Sequence, residues 1–197
     1  MQTLPTSIYK PSNWLEPLDW HEVFGNGQRI EVDIGCGRGS FLLWSAQTHA
    51  ETSFIGVDRL LRRLRRIDRK AQRLGLPNVR LLRVEASYLV GFLIPDLSVS
   101  AYHIYFPDPW PKRRHRQRRL ICASFLFNLQ RTLCGGGVVN CATDNLDYFQ
   151  WIQHEFCQVE GFAEAEPELL PEASRTDFER EFSAAGTKLY RCRWTKR

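Results

Sequence analysis

The chain has 197 residues, of which 43% are hydrophobic and 25% charged, and its formal net charge is +5. These values are typical of one globular domain that is large enough for an α/β sheet covered on both faces. The six cysteines form no Cys-x-x-Cys pair and no metal-ligand spacing, and the first twenty-five residues hold no apolar run long enough for a signal peptide or a membrane span. We therefore expect buried free thiols, no metal site, no membrane segment and a cytoplasmic protein.

The positive charge is concentrated in two stretches. Residues 59–73 hold eight Lys/Arg and one acid, residues 112–119 hold six Lys/Arg and no acid, and the remainder of the chain is net negative. Localised basic patches on an otherwise acidic protein suit a polyanionic partner better than a generally basic surface would.

Residues 1–28 show little periodicity and are predicted to be a tail followed by a packed arm, ahead of a single domain over residues 29–197. Trp14, Leu15, Leu18 and Trp20 are the expected anchors of the arm. Its aromatic residues could meet RNA, but we expect them to cover the edge of the core.

The central stretch is a short β-type run, residues 30–34, followed by glycines at 35, 37 and 39 and then by an apolar helical pattern from Phe41. A strand that turns sharply into a helix presents backbone N–H groups, and glycines let a ligand approach them closely. A second apolar run, residues 53–57, ends in Asp58, where nucleotide-binding folds place the carboxylate that accepts from ribose hydroxyls. Position 40 is Ser40, so the pattern lacks the third glycine of a dinucleotide fingerprint, and we expect a nucleoside cofactor instead.

Residues 59–74 predict an amphipathic helix that ends at Gly75. Its apolar stripe comprises Leu60, Leu64, Ile67, Ala71 and Leu74. On the other face, five i,i+4 pairs join two cations, which costs on the order of 1–2 kcal/mol at low salt. A solvated arginine-rich face is the alternative to our hypothesis that this face contacts phosphates through Arg62, Arg66 and Arg69.

Further strands are predicted at residues 79–84, followed by Glu85 and Ala86, and at residues 99–106, followed by a Pro-Asp-Pro-Trp-Pro segment around Asp108. Prolines fix the backbone, so Asp108 should be held rigidly at the end of a central strand. We expect Asp33, Asp58 and Asp108 to line one common pocket. A basic collar follows at Lys112, Arg113, Arg114, His115 and Arg116.

The rest of the chain predicts a helix at residues 117–133 that is closed by three glycines at 135–137, then a strand at 138–142. Asp144 follows that strand. A helix is predicted at residues 146–158, a strand and a surface loop within residues 160–172, and a final strand at residues 188–194.

The joint pattern resembles the bacterial tRNA (guanine-N(7)-)-methyltransferases. The motifs are Asp-Ile-Gly-x-Gly-x-Gly at 33–39, Phe-Ile-Gly-Val-Asp at 54–58, Phe-Pro-Asp-Pro-Trp-x-Lys-x-Arg-His at 106–115, Ala-Thr-Asp at 142–144 and Thr-x-Phe-Glu at 176–179. The resemblance implies the class I methyltransferase (Rossmann-like) α/β fold: a seven-stranded, mostly parallel sheet with an antiparallel last strand and helices on both faces. It also implies that the target is the variable-loop guanosine of tRNA.

The resemblance implies S-adenosylmethionine as the cofactor and tRNA as the partner, and leaves open whether the protein is a monomer or a homodimer. Together with the glycine turn, it places the cofactor at Asp33, Gly35, Gly37, Gly39, Asp58, Glu85, Ala86 and Asp108. It places the substrate at Lys112, Asp144, Thr176, Asp177, Phe178 and Glu179. Weaker contacts to the RNA backbone are expected from Arg62, Arg66, Arg69, Arg113, Arg114 and Arg116. Two positions depart from the family pattern: Glu85 stands where Asp or Asn is common, and Asp177 where Lys is expected.

Guanine N7 carries a free lone pair, so no general base is required, and none is evident. We expect Asp108 to act in catalysis by favouring positive charge on the purine and by accepting hydrogen bonds from guanine, or else to bind the methionine ammonium group. Alternative functions are another base methyltransferase, a small-molecule methyltransferase, and an inactive methyltransferase-like RNA-binding subunit.

Overall fold

The computed structural model describes residues 5–168 and 170–197. Its strands are Arg29–Ile34 (β1), Thr52–Val57 (β2), Val79–Leu82 (β3), Val99–Tyr105 (β4), Leu133–Thr143 (β5), Phe162–Ala165 (β6) and Tyr190–Lys196 (β7). Within the described residues these seven strands form one sheet in the order β3-β2-β1-β4-β5-β7-β6. Strands β1 to β5 run parallel to one another, whereas β7 is antiparallel to β5 and β6 is antiparallel to β7. The predicted fold class is confirmed.

Helices cover both faces of this sheet. The helices are Trp20–Phe24 (α1), Ser40–Thr48 (α2), Leu61–Leu74 (α3), Ala86–Tyr88 (α4, continued by a π-helical turn at Leu89–Leu93), Ala123–Thr132 (α5), Leu146–Gln158 (α6) and Asp177–Ala184 (α7). Short 3-10 turns lie at Arg113–Arg118 and Glu172–Ser174. None of these helices combines the length and the apolar composition needed to cross a membrane.

Two apolar clusters fill the space between the sheet and its helices. Helices α2 and α3 pack Leu42 and Ile67 against Phe54 of β2 on one face. On the other face, α5 and α6 contribute Phe125 and Phe156 to the larger cluster. Burying both faces explains why every residue of β2 is buried, rather than every second one.

Helix α3 buries a narrower stripe than its sequence predicts. Leu64, Ile67 and Ala71 are fully buried, but Leu60 and Leu74 are about half exposed. Leu60 precedes the first turn of the helix, and the chain turns away at Gly75 in the left-handed conformation. The stripe therefore spans two turns, which leaves more of this helix open to solvent.

Three predicted boundaries are wrong. The glycines at 135–137 do not close a helix but lie inside β5, which begins at Leu133 and pairs with β4 across an irregularity between Val99 and Ala101. The helix predicted at 117–133 begins only at Ala123, because residues 113–118 form a 3-10 turn. The final strand lies two residues later than predicted, at Tyr190–Lys196.

The described part of the N-terminal arm covers the edge of the sheet. Tyr9 donates its N–H to the Leu81 carbonyl, and Leu81 donates to the Ser7 carbonyl, so the arm pairs with edge strand β3. Leu18 is buried as predicted, whereas Leu15 is 87% exposed and is not an anchor. Protecting an edge strand in this way removes a row of unpaired backbone groups; residues 1–4 of the predicted tail lie outside the described residues.

Half of the cysteines are buried. All six are free thiols; Cys36, Cys141 and Cys192 are buried, and Cys157 is exposed. The prediction of free thiols is confirmed, and that of general burial is correct for Cys36, Cys141 and Cys192 only.

Candidate active site

Acidic side chains collect where the parallel strands end. Ile34 of β1 is in register with Val57 of β2 and with Ile104 of β4, so these strands end at one level. The chain order reverses at β1, which lies between β2 and β4. A crevice at such a reversal is where open α/β sheets bind ligands.

The glycine turn joins β1 to α2 at this edge. Gly35 and Cys36 both donate N–H groups to the Val57 carbonyl, which ties the turn to the end of β2. Gly39 is in the left-handed conformation, and a Cβ atom there would lie 2.8 Å from a side-chain carbon of Ile67. Glycine at position 39 therefore serves both the backbone turn and the close packing of α2 on α3.

A cleft of about 740 Å³ opens beside the glycine turn. Its walls include Asp58, Glu85, Ala86 and Asp108, together with Trp110. This volume lies within the range of small-molecule and cofactor sites. Three of the four predicted cofactor acids thus face one cavity, although they come from three different strands.

Asp33 lines a smaller, adjoining cavity of about 130 Å³. The expectation of one pocket for Asp33, Asp58 and Asp108 is therefore wrong as stated. The two cavities share five lining residues: Gly35, Gly37, Arg63, Tyr105 and Phe178. Because the glycine turn is a common wall, an extended ligand could contact both cavities from opposite sides of it.

Asp58 is held in a fixed orientation at the end of β2. The side chain is buried, one oxygen accepts from the Leu60 N–H at 2.7 Å, and the other accepts from Arg63 Nη1 at 3.1 Å. A carboxylate oxygen can accept more than one hydrogen bond, so Asp58 retains acceptor capacity for a ligand hydroxyl.

Asp33 is buried beside this pair, with 4% of the residue exposed. Burial, reinforced by the negative charge of Asp58, raises the pKa of Asp33 to about 8. Desolvation and a like charge both disfavour the ionised form. A cation bound in the smaller cavity would therefore favour ionisation of Asp33, which is otherwise mostly protonated at pH 7.

Asp108 lies in a rigid and strained segment. Phe106 and Trp110 flank it with φ values of 53° and 43°, a conformation that residues with side chains rarely adopt. The guanidinium of Arg118 lies 5.1 Å from the Trp110 ring, and the His115 ring meets the same indole edge-on. Asp108 itself is exposed toward the cleft.

Helix α7 borders both cavities, although no helix is predicted there from the sequence. Thr176 caps it by accepting from the Glu179 N–H, and both Thr176 and Asp177 line the smaller cavity. Phe178 is 47% exposed and lines both cavities. Glu179 points away instead: it is buried and pairs with Arg191, so its carboxylate is not available to a substrate in this conformation.

Other predicted substrate residues stand outside the cavities. Lys112 is exposed and Asp144 is half-buried, and neither lines either cavity. Arg113 and Arg114 are exposed on the adjacent surface. Arg116 differs, because its guanidinium pairs with Asp147 at 2.6 Å, so its predicted contact with RNA requires that pair to open.

The basic face of α3 is open to solvent. Arg62, Arg66 and Arg69 are exposed, and within the described residues none of them forms a salt bridge. The single acid of this stretch, Asp68, instead accepts hydrogen bonds from the Ser7 N–H and the Thr6 hydroxyl of the arm. In the part of the chain that the structure describes, no acidic side chain therefore offsets the repulsion among these three arginines.

Sequence reasoning missed several residues of the site, including two arginines and a tyrosine. Arg63 and Tyr105 line both cavities, and Arg119 lines the larger one. Burial raises the pKa of the Tyr105 hydroxyl, so it stays protonated. Tyr105 could have been found as the last residue of β4, whereas the two arginines lie inside basic runs that give no sign of which side chains turn inward. Among the described residues, no group of three or more His, Cys, Asp or Glu side chains is arranged to hold a metal ion.

Several known proteins resemble this chain in sequence or in fold. A family model described as "Putative methyltransferase" matches residues 27–192. The tRNA (guanine-N(7)-)-methyltransferase of Geobacillus thermodenitrificans is 36% identical over 179 residues, covering 88% of this chain and 82% of that protein. The protein of the same name from Geobacter metallireducens is 36% identical over 188 residues, covering 91% of this chain and 88% of its own length. Among solved structures, the 16S rRNA methyltransferase KamB superposes with a TM-score of 0.69 at 17% identity, over 92% of this chain and 94% of that one, a likeness that concerns the fold alone.

Proposed function

Since this chain belongs to the tRNA (guanine-N(7)-)-methyltransferase family, we propose that it transfers a methyl group from S-adenosylmethionine to N7 of a guanosine in tRNA. The observation that carries the proposal is the cleft beside the glycine turn, where Asp58, Glu85 and Asp108 meet at the end of the parallel strands. The finer proposal is that the target is the variable-loop guanosine and that the enzyme acts in the cytoplasm, where tRNA is modified.

The reaction needs orientation more than acid–base chemistry. The lone pair of N7 attacks the methyl carbon in line, the carbon–sulfur bond breaks, and the positive charge moves from sulfur to the purine ring. No proton has to leave N7 beforehand, so a general base is not required. Holding both reactants in line accounts for the largest share of the rate enhancement in such a displacement.

The cofactor is proposed to lie across the glycine turn. Asp58 would accept from the ribose hydroxyls, and Glu85 with Ala86 would border the adenine. One oxygen of Glu85 already accepts from the Tyr88 N–H at 2.9 Å, which fixes the side chain while leaving the other oxygen free for a ligand. The methionine end, with its ammonium group, would extend toward Asp33.

Asp108 is proposed as the catalytic carboxylate. It faces the cleft from a rigid segment, and a carboxylate fixed near the purine favours the positive charge that develops there. It could also accept hydrogen bonds from guanine N1–H and the exocyclic amino group, which adenine does not present in that pattern. Phe178, exposed at the junction of the two cavities, is positioned to contact the base.

The tRNA is proposed to be held through its phosphates. The major groove of an RNA helix is too narrow for side chains to reach N7 directly, so the enzyme must bind the folded RNA by shape and charge. Helix α3 begins at the cleft, where Arg59 and Arg63 line the wall, and it continues outward with its exposed arginines. Arg113 and Arg114, which are exposed just after the loop of Asp108, would add further phosphate contacts.

The decisive test is an assay on unmodified tRNA with labelled cofactor, in which 7-methylguanosine is mapped by chain scission. We expect one labelled guanosine, which the mapping assigns to the variable loop, and no labelling when that guanosine is replaced by adenosine. Absence of methylated tRNA from a protein that binds S-adenosylmethionine would refute the proposal. Asp108→Asn should lower the turnover by roughly 100-fold, whereas Glu160→Gln, an exposed acid outside both cavities, should not change it.

The contact through α3 has its own test. Replacing Arg62, Arg66 and Arg69 by Gln should weaken tRNA binding and reduce the slope of log affinity against log salt by about two to three. Arg29→Gln, an exposed arginine at the start of β1 and thus at the opposite edge of the sheet, serves as the control and should leave the slope unchanged. An unchanged slope in the triple variant would assign the basic face to solvent.

A further inference from the structure

The segment that carries Asp108 needs a restraint from outside itself. Phe106 and Trp110 both have positive φ values although neither is glycine. Such residues persist only where surrounding contacts hold them, and they cluster at functional sites. The contact that holds the far end of this segment is therefore of interest for the reaction.

That contact comes from Arg119. Its Nε donates to the carbonyl of Pro109 at 2.9 Å, and Pro109 is the residue between Asp108 and Trp110. The arginine side chain is almost completely buried, with 1% of its surface exposed. This hydrogen bond thus joins the far end of the strained segment to a fixed group inside the protein.

Helix α6 fixes the guanidinium in place. Asp147 in its first turn pairs with Nη2 of Arg119. The rings of Tyr148 and Trp151 lie 4.9 Å and 5.2 Å from the central guanidinium carbon. A planar guanidinium held by a carboxylate and two aromatic rings has little rotational freedom, so it presents Nε in one direction.

Stability alone does not account for this arrangement. Within the described residues, Nη1 of Arg119 is buried and has no hydrogen-bond partner. Leaving a buried donor unpaired is unfavourable, and native structures contain few such groups. Arg119 also lines the cleft, so its placement is explained by the site better than by the core.

We propose that Arg119 is a positioning residue for methyl transfer: by holding the Pro109 carbonyl it sets the orientation of the Asp108 carboxylate toward the base. The inference rests on the proposed function, because Asp108 is assigned its role there. It makes two demands on the kinetics. Loss of Arg119 must slow the chemical step more than it weakens cofactor binding, and the loss must depend on the presence of Asp108.

The chain offers a matched control. Arg131 also donates to backbone carbonyls, those of Val90 and Gly91, and pairs with one carboxylate, that of Asp96. It lies in α5 and lines neither cavity. Arg131→Met should therefore lower the thermal unfolding temperature without changing the single-turnover rate of the folded enzyme.

The experiment compares single-turnover rates at saturating cofactor and tRNA for Arg119→Met, Arg119→Lys and Arg131→Met. We expect a loss of roughly 10- to 100-fold for both Arg119 variants, because lysine keeps the charge but cannot bond Pro109 and Asp147 in the same geometry. The dissociation constant for S-adenosylmethionine should change less than about threefold. Arg119→Lys keeps a cation beside Asp147, so it provides a folded variant even where the methionine variant does not fold.

A double-variant cycle decides whether Arg119 acts through Asp108. If it does, Asp108→Asn combined with Arg119→Lys reacts no more slowly than Asp108→Asn alone. The inference would be overturned if the rate losses of the two single variants multiply in the double variant. It would also be overturned if the rate loss of the Arg119 variants is no larger than that of Arg131→Met. Failure of the proposed function gives a different result, because the unsubstituted protein would then form no 7-methylguanosine at all.

Discussion

Replacing Asp33 by Asn should change the pH dependence of stability in the empty protein. The carboxyl group is buried next to Asp58, and its pKa is raised to about 8 from an ordinary value of 3.8. Between these two values the folded protein holds a proton that the unfolded chain has released. The free energy of unfolding of the natural protein therefore falls as the pH rises through this window.

The magnitude follows from one proton. The slope is about 1.4 kcal/mol per pH unit, so this group removes roughly 3 kcal/mol of stability between pH 5 and pH 7. The amide of the Asp33→Asn variant does not titrate and carries no such dependence. The difference in unfolding free energy, Asp33→Asn minus natural protein, should therefore become more positive by roughly that amount over the same two units.

Urea unfolding at pH 5, 6 and 7 without cofactor measures this difference directly. Only its slope with pH is tested, so any constant cost of the buried amide cancels. Glu51→Gln changes an exposed carboxylate between α2 and β2 and should give a difference that is flat with pH. A flat difference for Asp33→Asn would mean that Asp33 is already ionised in the empty protein, and the argument from burial would be wrong.

Asp33→Asn should gain stability relative to the natural protein as the pH rises, but it should weaken cofactor binding. The methionine end of S-adenosylmethionine carries an ammonium group and a sulfonium, and an ionised Asp33 attracts both. Binding to the natural protein should therefore release close to one proton at pH 7 and tighten as the pH rises toward 8. Calorimetry in two buffers of different ionisation enthalpy measures that proton, which Asp33→Asn should abolish while it weakens the affinity.

Three further predictions concern single contacts. Asp58→Asn should weaken S-adenosylmethionine binding by roughly 10- to 100-fold through the loss of a charged acceptor, and the loss measured by calorimetry should be smaller for a cofactor analogue without the 2′-hydroxyl. Gly39→Ala should destabilise the protein by about 1–3 kcal/mol more than Gly35→Ala, because only at position 39 does the added Cβ meet Ile67, at 2.8 Å; equal thermal unfolding temperatures would contradict this. Thr176→Ala removes the cap of α7 and should cost about 1 kcal/mol, and Thr176→Ser should restore it in the same unfolding assay.

The sequence predicted the sheet and the positions of the acids well, for a simple physical reason. A parallel strand buried on both faces must be apolar, so a charged residue right after it marks the strand end. Asp58 and Asp108 follow such runs, and both do line the cleft. The glycines at 135–137 misled the same reasoning, because glycine is also accepted inside a strand where neighbouring backbone lies close, as the Cys134 carbonyl does at Gly137.

Which charged side chains turn inward could not be predicted. Arg113 and Arg119 belong to one basic run, yet the first is exposed and the second is buried, because only Arg119 meets Asp147 and two aromatic rings of α6. Glu179 is buried for the same kind of reason, through a pair with Arg191 on β7. These partners are distant in sequence, and local pattern carries no information on such pairs.

Several features that break local rules lie at the two cavities: Asp33 is buried next to Asp58, and Phe106 and Trp110 are two of the three non-glycine residues with positive φ among the described residues. Each is unfavourable in the empty protein, and elsewhere such violations would be expected to disappear during evolution of a stable fold. A cationic cofactor would relieve the first, since its charge favours the ionised form of Asp33. Binding and folding should therefore be coupled, with S-adenosylmethionine raising the stability of the natural protein more at pH 8 than at pH 6, because the cofactor binds more tightly once Asp33 is ionised.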